Sequence, residues 1–173
     1  FVVINKHGEI QTERYYAIPY QPGKKIQETS ADYNSAKETT RKLVSEAVER
    51  RLVSDVPLGT FLSGGIDSSI VTACASKYVK KLNTFSIGYK DEPYFDETYY
   101  ANLVADKFKT NHTVFPISND EMYEHLFSIL DYMDEPFADS SAIAVYILSM
   151  HTREKVTVAL SGDGGDELFA GYN

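Results

Sequence analysis

Phe61-Leu62-Ser63-Gly64-Gly65-Ile66-Asp67-Ser68-Ser69 has the residue types of a phosphate cradle. Apolar residues run into a Gly-Gly turn, an acid and small hydroxyls, the pattern by which a buried strand delivers the chain to a helix N-terminus. Without Cβ atoms, Gly64 and Gly65 let backbone N–H groups approach an anion closely, and Ser63, Ser68 and Ser69 bring hydroxyl donors to the same point. A polyphosphate is the expected guest; an ordinary glycine-rich strand-to-helix turn is the alternative. The segment is not a Walker A loop. Gly59 and Gly64 have the required separation, but Gly65 stands where the lysine must be. It contains no G-x-G-x-x-G dinucleotide fingerprint either.

Ser161-Gly162-Asp163-Gly164-Gly165-Asp166-Glu167 forms a second cluster of acids and glycines. It directly follows an apolar run, Val156–Leu160, just as the first loop follows Pro57–Leu62. Strands that alternate with helices pair in parallel, and ligands sit beyond the carboxyl ends of such strands. Both loops are therefore expected to open on one edge of the sheet and to share a cleft.

The elements that must position these loops follow from periodicity. Phe1 to Ile10 reads as a strand, a turn at His7-Gly8 and a second short strand, and Pro19, Pro22, Gly23 and the polar run Lys24–Ser30 read as a linker. A helix beginning near Tyr33 carries Leu43, Val44, Ala47, Val48 and Leu52 on one face. After the first loop, Asp67 or Ser68 is placed to cap a helix reaching about Val79. A strand at Thr84–Tyr89 leads to a helix capped by Asp96 with Tyr100, Leu103, Val104 and Phe108 on one face. His112–Ile117 is the third strand. Ser118-Asn119-Asp120-Glu121 is a capping box, opening a helix that buries Met122, Leu126, Ile129, Leu130 and Met133. A loop through Pro136 precedes an apolar helix at about Ser140–His151, and a new helix begins near Glu167. The expected fold is α/β, a doubly wound, mainly parallel sheet of Rossmann-like character.

Ser63-Gly64-Gly65-Ile66-Asp67-Ser68 resembles the S-G-G-x-D-S pyrophosphate loop of the ATP pyrophosphatases. The resemblance implies an adenine nucleotide alpha hydrolase-like fold and cleavage of ATP between its α and β phosphates. ATP carries four negative charges, so carboxylates facing it call for a divalent cation between them. Mg²⁺ takes one or two carboxylates together with phosphate oxygens, and Asp67 and Asp166 are the expected ligands. For Asp166 and Glu167 the alternative is acidic capping of a helix N-terminus.

Ser161 to Tyr172 narrows the resemblance, because it is similar to the S-G-[DE]-G-x-D-E-[LV]-F-G-G-Y hallmark of glutamine-dependent asparagine synthetases. Thr84–Gly88 resembles that family's nucleotide-site strand, and Asp134-Glu135-Pro136-Phe137-Ala138-Asp139 its D-E-P-x-A-D segment. The resemblance implies a two-step reaction. Aspartate attacks the α-phosphorus of ATP to give β-aspartyl-AMP and pyrophosphate, and ammonia derived from glutamine then displaces AMP. By position in the family motifs, Phe61, Leu62, Ile87, Ser161 and Gly162 would hold the adenosine, and Ser63, Gly64, Gly65, Asp67 and Ser68 the pyrophosphate with its Mg²⁺. Asp163 occupies the position of the family's base for the attacking ammonia; a turn aspartate between glycines is the alternative. Asp139 and Ser140 fall in the loop that the family places near the acceptor.

The chain departs from the family pattern in places. Ala170 replaces the first glycine of F-G-G-Y, and neither loop contains the lysine or arginine that adenylation calls for; the family draws its lysine from a later segment. The family's N-terminal nucleophilic cysteine has no counterpart at Phe1, and Cys74 falls on an apolar helix face. Residues 1–30 are accordingly expected to be the tail of a glutaminase domain and its linker. Residues 31–173 would then be a synthetase domain that stops short, with little turnover of its own.

Composition bounds the remaining classes. With 173 residues, 43% hydrophobic, the chain has enough apolar material for one core. A net charge of −8 and the lack of any basic cluster beyond pairs such as Lys24-Lys25 argue against a nucleic-acid partner. One cysteine excludes internal disulfides and C-x-x-C motifs. No stretch reads as a membrane span or signal peptide, so the expected setting is the cytoplasm, with aspartate and ammonia as partners and a homodimer as the candidate assembly. His7, His112, His125 and His151 lack metal-ligand spacing and are read as surface or packing residues. A related amidotransferase or β-lactam synthetase-like enzyme with another carboxylate acceptor, and a non-catalytic nucleotide-binding module, remain as alternative functions.

Overall fold

The structure, a computed structural model, describes residues 1–17, 30–135 and 138–171. It divides into two units, Phe1–Lys37 and Glu38–Asn173. In the first, β1 (Val2–Ile4) and β2 (Ile10–Thr12) pair antiparallel, as the pattern around His7-Gly8 predicts. The Asn5 side-chain oxygen accepts from the amides of His7 and Glu9, and Gly8 takes φ +81°, which closes the turn. The expected linker at Pro19, Pro22, Gly23 and Lys24–Ser30 falls almost wholly outside the described residues, as does Pro136.

The helix α1 (Ser30–Arg51) leads into the second unit. Four parallel strands follow, β3 (Leu58–Phe61), β4 (Asn83–Tyr89), β5 (Asn111–Ile117) and β6 (Val158–Leu160), in the spatial order β5-β4-β3-β6. The chain winds outward from β3 through β4 to β5, then returns to lay β6 on the other side of β3. That reversal makes the gap between β3 and β6 the switch point of the sheet, where open α/β folds bind ligands.

Helices cover both faces. Side chains alternate along a strand, and β3 sends buried Thr60 to one face, where its hydroxyl meets that of Thr72 at 2.9 Å. Thr72 belongs to α2 (Ile66–Ala75), which packs against α3 (Thr98–Phe108). On the other face Phe85 stacks on Phe115, and Phe115 on His151 of α5 (Ser141–Arg153). In turn α5 packs against α4 (Asn119–Tyr132), and α6 (Gly165–Phe169) follows the second loop. The apolar centre lies where α1 meets α2, with Val48, Ala75 and Leu82 buried and Leu52, Val71, Cys74 and Leu160 packed around them. Cys74 thus contributes packing, as its position on the helix predicts.

Several local expectations are corrected. Neither Asp67 nor Ser68 caps α2; the N-cap is Gly65, and the helix ends at Ala75, four residues before Val79. The N-cap of α3 is Glu97, not Asp96; Asp96, one residue earlier, accepts from the Thr98 amide at 2.8 Å. The face α3 buries is made of Ala101 and Ala105, while Tyr100 and Leu103 are exposed, because a close approach to the sheet selects small residues. Leu43 of α1 and Leu130 of α4 are exposed as well. Ser118 caps α4 by accepting from the Glu121 amide at 3.2 Å, but the Glu121 carboxylate pairs with His151 at 3.0 Å instead of closing the box. Among the described residues, no helix is long and apolar enough to cross a membrane.

Candidate active site

β3 and β6 are direct neighbours, with Thr60 opposite Leu160, so the loops that leave them begin side by side. Phe61 stands opposite Phe85 on β4, and Ile87 lies two residues further along the same strand face. Leu62, the last residue before the glycines, is buried and held through both main-chain groups. Its amide donates to the Phe85 carbonyl at 2.8 Å, and its carbonyl accepts from the Ser86 hydroxyl.

The first loop is closed by its own serines. The Ser63 amide donates to Ser68 Oγ at 3.2 Å, the two hydroxyls lie 3.0 Å apart, and the Gly65 amide donates to Ser63 Oγ at 3.2 Å. Gly64 takes φ +89°, and a Cβ there would lie 2.5 Å from Tyr100 Cβ and 2.6 Å from the Ala101 nitrogen. The loop therefore rests directly on the first turn of α3. Gly65, as N-cap, supplies no side-chain acceptor to the first turn of α2. Those amides are left to an outside acceptor, at the positive end of the helix dipole.

The second loop seats itself on the first. A Cβ at Gly162 would lie 2.8 Å from the Ser68 nitrogen and 3.0 Å from Asp67 Cβ, and one at Gly165 would lie 2.5–2.8 Å from the Asp67 carboxylate atoms. Two glycines of one motif thus make room for the acid of the other. Among the described residues no protein group donates to the Asp67 carboxylate, which leaves it free for a cation. Asp166 turns its carboxylate toward Gly171 at the end of α6, where an added Cβ would collide with Oδ1. No group of three or more His, Cys, Asp or Glu with metal-site geometry occurs among the described residues. A Mg²⁺ site needs only one or two carboxylates when phosphate supplies the other oxygens, so the Asp67 cradle at Gly165 fits one.

Asp163 accepts from the Ser161 hydroxyl at 2.8 Å and is exposed, as both a turn aspartate and a base awaiting substrate would be. Asp139, one residue before the N-cap of α5, accepts from the Ser141 amide at 2.9 Å. Hydrogen bonds from the Ser141 side chain and backbone hold its carboxyl below the usual carboxylate range. Ser140 is the residue between, at the helix start. The structure brings Phe61–Ser68, Ile87 and Ser161–Gly165 to one sheet edge; Asp139 and Ser140 stand at the N-terminus of α5.

Sequence reasoning missed three features. The α3 backbone at Tyr100-Ala101 forms a wall of the loop, for which Gly64 was the only trace. Ser86, read only as part of a strand, ties down Leu62. Beyond β4 an open hollow of about 590 Å³ is lined by Tyr89, Glu92, Tyr94, Phe95, Glu97 and Met122. None of these six belongs to either loop. Burial, and secondarily the Glu97 charge, raises the Tyr89 hydroxyl above its ordinary pKa.

A family model, asparagine synthase, matches residues 39–173. The chain is 41% identical over 167 residues to the second glutamine-hydrolysing asparagine synthetase assigned in Methanocaldococcus jannaschii, an alignment covering 95% of this chain and 31% of that protein. It is 34% identical over 170 residues to asparagine synthetase 1 of Bacillus subtilis, covering 98% of this chain and 26% of that one. The chain therefore spans less than a third of the length of these relatives. Among solved structures, the NH3-dependent NAD synthetase of Campylobacter jejuni aligns with TM-score 0.46 and 17% identity over 82% of this chain and 61% of that one.

Proposed function

Because the chain belongs to the asparagine synthase family, we propose that it carries the ATP site of an enzyme that makes asparagine from aspartate. In this reading aspartate's side-chain oxygen attacks the α-phosphorus of ATP, the bond to the β-phosphate oxygen breaks, and pyrophosphate leaves in the Ser63–Ser68 loop. Ammonia, released from glutamine elsewhere in the protein, then attacks the acyl carbon and AMP departs. The observation that carries this is the seating of Gly162 and Gly165 on Ser68 and Asp67, which joins two motifs nearly a hundred residues apart into one cleft.

The residues divide the work. Ser63, Gly64, Gly65, Asp67 and Ser68 receive the pyrophosphate through the uncapped amides of α2 and the serine hydroxyls. Phe61, Leu62, Ile87, Ser161 and Gly162 line the adenosine. Asp67 would hold Mg²⁺, which when bound would offset charge on the phosphate oxygens; Asp166, which faces Gly171 here, would have to turn to join it. Asp163 takes the proton that ammonia must lose on becoming an amide; its hydrogen bond from Ser161 orients it. Asp139 and Ser140 bound the acceptor side. Residues 1–30 stand outside this domain, a reading supported by the unit boundary after Lys37 and by a family match that starts at residue 39.

Calorimetric titration of MgATP into the chain and into its Asp67→Ala variant tests the site. The variant is expected to bind at least about tenfold more weakly, the loss of one charge-assisted contact; equal affinity would remove the loop from the reading. Aspartate-dependent release of pyrophosphate by the full-length protein tests the acceptor, and release with another carboxylate alone would replace aspartate by that compound.

A further inference from the structure

We propose that His112 is a positioning residue for the phosphate loop, acting through Ser86 on the carbonyl of Leu62. A chain of side chains crosses from β5 to β3 beneath the loop. Thr110 Oγ1 lies 2.8 Å from Thr84 Oγ1, which lies 2.8 Å from His112 Nδ1. His112 Nε2 lies 3.4 Å from Ser86 Oγ, and Ser86 reaches the Leu62 oxygen. Thr84 is fully buried and Ser86 nearly so, so each must find its partners within the protein.

The direction of every bond follows from the last one. A carbonyl only accepts, so the Ser86 proton is committed to Leu62, and Ser86 Oγ can then only accept from the ring. His112 must therefore carry its proton on Nε2. Its Nδ1 then accepts from Thr84, and Thr84 accepts from Thr110. The neutral Nε2–H tautomer is the form that satisfies the whole chain with the hydroxyls as they stand. Protonation would put a second donor at Nδ1, opposite the Thr84 proton, and force Thr84 and Thr110 to reverse. Burial already holds the ring below the ordinary histidine pKa, against opposing contributions from the Thr84 backbone and from Asp106 of α3. Thr84 and Ser86 of β4 and Thr110 before β5 add no charge, and Asp106 is the charged group that acts on the ring.

Leu62 is the hinge between β3 and the glycines. With its amide on Phe85 and its carbonyl on Ser86, the point from which Ser63 and Gly64 depart is set by β4, and through His112 by β5. The functional weight of this device rests on the reading of Ser63–Ser68 as the pyrophosphate loop. The device itself is testable without nucleotide.

Long-range ¹H–¹⁵N spectra of the histidine-labelled chain should show His112 as the Nε2–H tautomer. The amides of Leu62, Ser63, Gly65 and Ser69 should shift with the midpoint of its titration, below pH about 6.5. In Ser86→Ala and His112→Leu the exchange protection of those amides should fall about tenfold, while the Ile147 amide of α5 is unchanged. His112→Gln, whose amide can accept with one atom and donate with the other, should restore it. An Nδ1–H tautomer, or protection at the loop that is unchanged in Ser86→Ala, overturns the proposal, and Ser86→Ala decides should His112→Leu fail to fold. Wild-type loop amides that ignore MgATP would remove the nucleotide reading alone, since the tautomer and exchange results judge His112 either way.

Discussion

Two glycines with nearly the same φ offer a direct measure of how tightly the Ser63–Ser68 loop is held. Gly64 has φ +89° and Gly164 φ +91°, so alanine is strained at both, by about 1–2 kcal/mol for an L-residue in this region. Their surroundings differ completely. A Cβ at Gly164 meets nothing within 4 Å, whereas one at Gly64 enters the backbone of α3 at 2.5–2.6 Å. No flexible side-chain end can yield there, and overpacking against main chain adds about 1–3 kcal/mol. Urea unfolding of the chain should therefore give a loss of about 1–2 kcal/mol for Gly164→Ala and about 2–5 kcal/mol for Gly64→Ala. The gain from restricting the unfolded chain is common to both variants and cancels in the comparison. Gly162→Ala isolates the packing contribution between the loops, because its φ is ordinary while its Cβ would lie 2.8 Å from the Ser68 nitrogen; about 1–3 kcal/mol is expected. If Gly64→Ala and Gly164→Ala agreed to within about 0.5 kcal/mol, the loop would not be resting on α3, and the account of its rigidity would fail.

Gly165→Ala should separate function from stability. The atoms nearest its Cβ are the end of the Asp67 side chain, which can swing away, so unfolding should change little while MgATP affinity measured by calorimetry falls toward that of Asp67→Ala. Ser118→Ala removes the cap of α4 and should cost about 1 kcal/mol in the same urea assay. The pH dependence of stability has a sign set by His112. Its pKa is depressed in the folded chain, so above the unfolded value of about 6.5 both states hold it neutral. Below that value the unfolded state binds the proton more readily, and stability falls as pH drops from about 6.5 to the folded pKa, then levels. Denaturation midpoints measured from pH 8 to 5 should decline over that window, and His112→Gln should flatten the decline. Asp139, held low by Ser141, acts at the acid end: its bond to the Ser141 amide at the start of α5 holds above its unfolded pKa and is lost as pH falls through the folded one.

The local chemistry of the site was legible in the sequence and its geometry was not. Gly64-Gly65 announces a turn against an anion because only glycine tolerates φ +89° with α3 so near, yet nothing in the residues says that α3 is the neighbour. The alternation of periodicities fixes four strands and their direction, and the boundaries come within two residues of those observed for β3, β4, β5 and β6. Caps were harder. Asp67 looks like an N-cap by type, but the turn enters α2 at Gly65 and leaves Asp67 inside the first turn, with its carboxylate free. Helix faces misled where contact is closest, since Ala101 and Ala105 are less conspicuous than Tyr100 and Leu103, although it is the small residues that the sheet accepts. The Ser86–His112 link depends on the register of β4 against β5, which pairs Ser86 with Val114 and Thr84 with His112, and no pattern in one strand specifies that.

Sheet order, more than either motif, explains why two acidic loops open side by side. Had β6 been added beyond β5, two strands would stand between the Ser161–Glu167 loop and Ser63, and Gly162 could not touch Ser68. The return to β3 places the loops at the switch point, where the departing helices diverge and leave a crevice. A cation held by Asp67, which lies against Gly165 of the second loop, would supply the counter-charge for a phosphate guest in that crevice. The glycines make the approach close, and the sheet order makes it possible. A double-mutant cycle between Asp67→Ala and Gly162→Ala should accordingly show coupling in MgATP affinity, since each residue touches the other's loop, while additive effects would mean that the two loops act as independent sites.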